Sequence, residues 1–212
     1  MTPYLKHMFY AYPRGVTKKI CNEIIRFGEE HILKEAVVYG TETIPSDEPA
    51  RSKAYKKLHK TRNPHMAWLN PFWIFKEIRP FSSTANKLCG WNFEYDTVES
   101  FQFTKYSGDK KQHYTWHADD GPIGTNGQSR FDGKYRKLTT GVMLNDGSEY
   151  EGGQFEIYNY TAPNRPKIIG TEEIKFQGTV INFPSFMLHR VRPVTKGTRY
   201  SLTTWYRGYP FK

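Results

Sequence analysis

The sequence predicts a mainly β chain: a double-stranded β-helix, or jelly roll, carried on an N-terminal α-helical layer. Three observations predict it. A stripe of helical period opens the chain, five short runs rich in Val, Ile, Thr and aromatic residues fill its second half, and turn residues rather than helices separate those runs. The chain has 212 residues with 15 Tyr, 14 Phe and 5 Trp, enough apolar bulk for a sizeable core. We expect a single domain over 1–212, with a helical support region at 1–90 and the β core at 91–212.

The elements follow in order. In GVTKKICNEIIRFGEEHIL, Val16, Ile20, Ile24 and Phe27 recur at steps of three and four, placing one apolar face on a helix. From Tyr39 to Asn63 the chain is polar and basic and carries Pro45 and Pro49, so it reads as a long irregular loop. Asn70-Pro71 reads as an N-cap followed by a first-turn proline. A helix to about Ile78 should follow, break at Pro80, and resume as a second run to Leu88 before Gly90. From Trp91 onward the pattern is β: SFQFTKY, LTTGVMLN, QFEIYNY, GTVINF and RYSLTTWY, with turns at Asp146-Gly147, Gly152-Gly153 and Gly178. There is no internal repeat and no low-complexity tract.

Composition excludes several classes. Cys21 and Cys89 are too few for a disulfide framework and read as reduced core thiols, which fits a cytoplasmic protein. The opening MTPYLKHMFYAYPRG lacks a continuous apolar stretch, so neither a secretion signal nor a membrane span is expected. Accordingly, NYT at Asn159 reads as a strand end rather than a glycosylation site. The net charge is +10, and RSKAYKKLHKTR, from Arg51 to Arg62, contains no acid. Such a stretch is usually a solvated loop; as a binding element it would attract nucleic acid or an acidic protein.

YTWHADDG, residues 114–121, sets His117 and Asp119 two positions apart. In an extended segment they project from one face and can reach a common divalent metal. With seven His and 21 acids in the chain, the pair alone decides little. FPSFMLHRVRPV supplies a third candidate ligand, His189. Two neutral imidazoles and one carboxylate on one side of a metal leave the opposite positions open, the arrangement of non-haem Fe(II) oxygenases. Ten residues on, Arg199 offers a permanent cation that pairs with carboxylates in parallel hydrogen bonds, and Ser201 faces the same side. Together they could hold the distal carboxylate of a dicarboxylic co-substrate.

These residues carry a resemblance to the 2-oxoglutarate and Fe(II)-dependent dioxygenases, in the prolyl 4-hydroxylase-like (PKHD-type) branch. The matching stretches are KYSGDKKQHYTWHADDG, LTTGVMLNDGSEYEGGQFEIY and GTVINFPSFMLHRVRPVTKGTRYSLTTWY, in family order over roughly the C-terminal half. The resemblance implies a cupin-like jelly roll with Fe(II) on His117, Asp119 and His189 and 2-oxoglutarate on Arg199, Ser201 and Tyr106. It also implies O2 as oxidant, ascorbate as an accessory, and release of succinate and CO2 as an unactivated C–H bond is hydroxylated. Tyr114, Arg136 and Trp205 match positions that line the substrate side, and peptidyl proline is the leading target. Where many members place a tyrosine near the distal carboxylate, this chain is expected to have Val142. Arg199, rather than the lysine of collagen-type enzymes, resembles oxygen-sensing and PKHD-type hydroxylases. The Gly- and Pro-containing segment from Pro122 to Lys137 is a candidate lid with positive charge, which hints at an acidic substrate.

Three other readings stay open. A nucleic-acid or small-molecule oxygenase would keep the cofactors, but nucleic-acid demethylases usually carry a second arginine six positions after the first, where this chain has Trp205. A binding module on the same fold would have no need of an intact triad. A zinc hydrolase could use the same ligands, but no general base emerges and Arg199 would have no role.

Overall fold

Thr17 starts the first helix by accepting a hydrogen bond from the Ile20 amide at 3.3 Å. The structure, a computed structural model, describes residues 7–32, 64–120, 133–158, 167–168 and 174–210. The expected loop from Tyr39 to Asn63, the basic run from Arg51 to Arg62, the NYT site and residues 122–132 of the candidate lid lie outside the described residues.

Helix α1 (Lys18–His31) buries Cys21, Ile24 and Gly28, close to the face that the stripe marks. Gly28 permits a close approach: a Cβ there would lie 2.5 Å from the ring of Phe103. Helix α2 (Phe72–Leu88) is continuous, which corrects the expected break. Pro80 lies inside it on the exposed side. The carbonyl four residues back, on exposed Lys76, can therefore turn to water in place of the missing amide. Asn70 is not the cap. Pro71 is, without a side-chain hydrogen bond.

Twelve strands are described: β1 (Tyr10–Tyr12), β2 (His65–Leu69), β3 (Thr97–Val98), β4 (Phe101–Ser107), β5 (Tyr114–His117), β6 (Tyr135–Met143), β7 (Tyr150–Gly152), β8 (Phe155–Ile157), β9 (Lys167–Ile168), β10 (Val180–Pro184), β11 (His189–Val191) and β12 (Val194–Gly208). The major sheet runs β1-β10-β6-β12-β4-β2, with β3 and β7 also on β12; the minor sheet runs β5-β11-β8-β9. The described pairings are antiparallel. The predicted helix-supported double-stranded β-helix is what forms. One feature escapes the sequence reading: β1 and β2, from the N-terminal region, join the major sheet at its two ends, so that region is not purely helical.

The two faces of the major sheet have separate tasks. Val142 and Leu202 are cross-strand partners that pack with Ile24, Ile74, Ile78 and Phe103 beneath the helices. One residue along each strand, Met143 and Ser201 are partners as well, and Met143 joins Ile157, Phe183 and Met187 in a second apolar cluster between the sheets. The period of two thus gives one face to the helices and the other to the site. Toward one end of the β6–β12 ladder the register shifts between Tyr206 and Arg207, so that Arg207 pairs with Arg136 and leaves Lys137 as an extra residue. This bulge re-aims Arg136 to the face that carries Thr139 and Trp205, where strict alternation would have turned it away.

Candidate metal centre

His117 closes β5, His189 opens β11, and the two are register partners in the minor sheet. Asp119 lies just past β5 in a bend, where its amide donates to the Ser185 carbonyl at 2.8 Å. The strand geometry expected for the His-x-Asp pair therefore ends at His117; the Ser185 carbonyl, rather than the pleat, places the carboxylate. His117 Nε2 is 3.7 Å from Asp119 Oδ1, and His189 Nε2 is 3.6 Å from Oδ2. The three ligand atoms lie within 4.8 Å of one another. This is the one such cluster among the described residues.

Backbone carbonyls orient both imidazoles. His117 Nδ1 donates to the Thr115 carbonyl and His189 Nδ1 to that of Met187, each at 2.8 Å. A carbonyl only accepts, so the proton of each neutral ring is on Nδ1 and the Nε2 lone pair is left for a metal. Thr139 Oγ1 donates to Asp119 Oδ2 at 2.8 Å and lies 2.9 Å from Ser185 Oγ. Burial pushes the Asp119 carboxyl upward, but the neighbouring His189, His117 and Arg136 outweigh it and hold it below the usual carboxylate range. Rings close the surroundings: Tyr114 stacks on His117 at 3.4 Å, and Phe183 and Phe155 flank His189 at 4.8 and 5.5 Å. Two imidazoles, each presenting Nε2, and one carboxylate suit a divalent first-row ion such as Fe(II).

Arg199 forms one flank. It is 2% exposed, donates to Ser201 Oγ at 3.2 Å, and lies over the Tyr106 ring with 5.3 Å from guanidinium carbon to ring centre. Its Nε has no partner, and no carboxylate pairs with it among the described residues. Arg199 lines a cavity of about 240 Å³ together with Met143, Tyr150, Gly153, Phe155 and Lys175. Gly153, at φ +64°, leaves room for the arginine stem, since a Cβ would come within 3.0 Å of its Cδ. A buried cation without a counter-ion beside a cavity is a fitting receptor for a carboxylate such as that of 2-oxoglutarate. Met143, not Val142, adjoins Arg199, with Sδ 3.2 Å from Nη2. Val142 belongs to the other face of the strand and packs beneath the helices.

Arg136 forms the other flank. Its guanidinium lies 3.9 Å from the centre of the Trp205 ring. Nε and Nη2 donate to the two carboxylate oxygens of Glu99 at 2.7 and 2.5 Å. Tyr114, Arg136 and Trp205, the three expected substrate-side residues, all lie around the metal cluster. Glu99 is a charged partner that the sequence reading missed.

Residues 101–207 match the model of the 2OG-Fe(II) oxygenase superfamily, and the chain belongs to that superfamily. Within it the chain is similar to PKHD-type hydroxylases, as the sequence resemblance implied. It is 34% identical over 102 residues to one from Azoarcus sp. (strain BH72), covering 46% of this chain and 38% of that protein. To one from Prochlorococcus marinus it is 34% identical over 113 residues, covering 53% of this chain and 43% of the relative. The matched region thus spans less than half the length of these relatives. In fold the chain is similar to a Pseudomonas putida prolyl-4-hydroxylase, with a TM-score of 0.61 at 16% identity over 97% of this chain and 95% of that one. It is likewise similar to a viral collagen prolyl hydroxylase from Paramecium bursaria Chlorella virus-1, solved as its 2OG complex, with a TM-score of 0.58 at 17% identity over 96% and 97% of the two chains. Fe(II) and 2-oxoglutarate are the metal and co-substrate of the superfamily. Among the described residues, no helix is long and apolar enough to cross a membrane.

Proposed function

We propose that the chain is an Fe(II)- and 2-oxoglutarate-dependent dioxygenase that hydroxylates an unactivated C–H bond of peptidyl proline, with release of succinate and CO2. One observation carries the reading: a buried arginine without a carboxylate stands on a cavity beside a cluster of two histidines and an aspartate. When bound, iron and co-substrate supply the oxidising chemistry, one oxygen atom of O2 going to the substrate and the other to succinate.

The chain's own residues do the rest. His117, Asp119 and His189 would hold the metal through Nε2, a carboxylate oxygen and Nε2. Arg199 and Ser201 would bind the distal carboxylate of the co-substrate, with Tyr106 lining its pocket. The aromatic rings around His117 and His189 keep water from the reacting centre. Tyr114, Arg136 and Trp205 would wall the substrate side.

A protein or peptide substrate is supported by the kinship of the fold. One neighbour at TM-score 0.58 is a Trichoplax adhaerens prolyl hydroxylase in complex with a hypoxia inducible factor peptide fragment. We place the whole of 1–212 in one oxygenase domain. We assign it to the cytoplasm, a setting supported by its two buried free thiols, Cys21 and Cys89. The test is succinate formation from 2-oxoglutarate with Fe(II), together with a mass gain of about 16 Da on proline-containing peptides. Full turnover by His117→Ala overturns the site. Turnover without modification of any proline peptide overturns the substrate class.

A further inference from the structure

On the proposed reading that His117, Asp119 and His189 bind the metal, we infer that Glu99 is a positioning residue that keeps Arg136 away from the metal-binding carboxylate of Asp119. Four charges share the wall on that side, Asp119 and Arg207 buried and Glu99 and Arg136 largely so, with side chains of Glu99, Asp119, Arg136 and Arg207 9, 7, 14 and 6% exposed. Arg136 is there because of the bulge in β6, which turns it to the face of Thr139 and Trp205. Thr139 in turn holds Asp119.

Arg136 lies over Trp205, the register partner of Thr139, whose hydroxyl holds Asp119, so a second carboxylate stands close to this guanidinium. Asp119 must give an oxygen lone pair to the metal. A guanidinium that forked onto it would occupy the same oxygens, because paired N–H donors take both. Glu99 removes that competitor. It accepts Arg136 in the two-oxygen geometry and lies 3.6 Å from Arg207 Nε. The Trp205 ring holds the guanidinium plane from one side. Glu99 is itself fixed by its backbone: its amide donates to the Trp205 carbonyl at 2.9 Å, and its carbonyl accepts from Thr204 Oγ1 at 2.8 Å.

This arrangement also bears on specificity. Glu99 meets both Arg136 and Arg207, so Arg136 is a partnered residue of the wall rather than the free, anion-seeking arginine that its position suggests.

The test is calorimetric titration with Co(II) alone of the wild-type chain, Glu99→Gln, Arg136→Met and the double variant, with folding checked by circular dichroism. Glu99→Gln should bind Co(II) about tenfold or more weakly, as the freed guanidinium turns to Asp119. Adding Arg136→Met should restore affinity to within about threefold of wild type, a rescue that a merely structural role for Glu99 does not produce. Unchanged binding by Glu99→Gln, or a double variant as weak as the single one, overturns the inference. If Glu99→Gln does not fold, Arg136→Met decides alone: it must bind Co(II) at least as tightly as wild type, and weaker binding overturns the inference. Failure of the wild-type chain to bind Co(II) overturns the metal site and this inference together. Normal wild-type binding with an unaffected Glu99→Gln overturns the inference only.

Discussion

Arg199 and Arg136 stand on opposite flanks of the same three ligands, Arg199 buried and Arg136 largely so, both on aromatic rings, and they differ chiefly in one respect. Arg136 has Glu99; Arg199 has no acid among the described residues. Burying a cation without a counter-charge is costly, and a fold keeps such a group where a ligand completes it. The unpaired flank with its cavity is therefore the receptor, and the paired flank is the wall. Residue type alone cannot tell them apart. The partner can.

The largest expected effect breaks the centre between the flanks. His117→Ala or Asp119→Ala should lower Fe(II)-dependent succinate formation by about 100-fold or more, whereas Asp120→Ala should largely spare it. Equal losses at Asp119 and Asp120 would refute the ligand assignment. Arg199→Met should weaken 2-oxoglutarate binding by about 3 kcal/mol in calorimetry, as for loss of one partner of a buried charge pair. Arg136→Met should change the same constant by less than about threefold. Similar losses would erase the distinction between receptor and wall.

A smaller effect tests the support of the shared carboxylate. Thr139→Val removes the hydroxyl bonded to Asp119 and should cost about 1.5 kcal/mol of Co(II) affinity while leaving 2-oxoglutarate binding intact. The smallest lies away from both flanks. Burial pushes the Glu29 carboxyl upward, but hydrogen bonds from Lys105 and Tyr200 outweigh it and hold it below its usual value. The folded-state value is thus the depressed one. Its contribution is present above the unfolded-state pKa and is lost as pH falls through the folded one. Glu29→Gln should lower stability at neutral pH by about 0.5 kcal/mol or less, and the difference from wild type should vanish in acid thermal melts.

Much of the site was legible because its chemistry is written in short patterns. His-x-Asp, a later histidine and an arginine two residues before a serine name ligands that the sheets then bring together. What escaped depends on three-dimensional pairing. Glu99 and Arg136 are separated by 37 positions and meet only because a bulge re-aims one of them. Met143 was misread as Val142 because the parity of a strand cannot be assigned until its partner is known; a one-residue error exchanges the core face for the site face. In the fold, the helices and the β half were readable from period and turn residues. β1, with three residues, and β2, with five, are too short for periodicity to show. Pro80 misled for another reason: exposure on α2 lets water take the place of the lost hydrogen bond.

Strand β12 is one unbroken run of 15 residues, and it bears Arg199 toward one end and Trp205 and Arg207 toward the other. It works as a ruler. Six steps separate Arg199 from Trp205, about 20 Å along an extended chain. The span between the place that grips a small dicarboxylate and the wall that meets a larger substrate is thus a length set by residue count. Exchanging a side chain along that ruler leaves the length unchanged. An insertion or deletion of a single residue within it would change the length and turn every later side chain onto the opposite face.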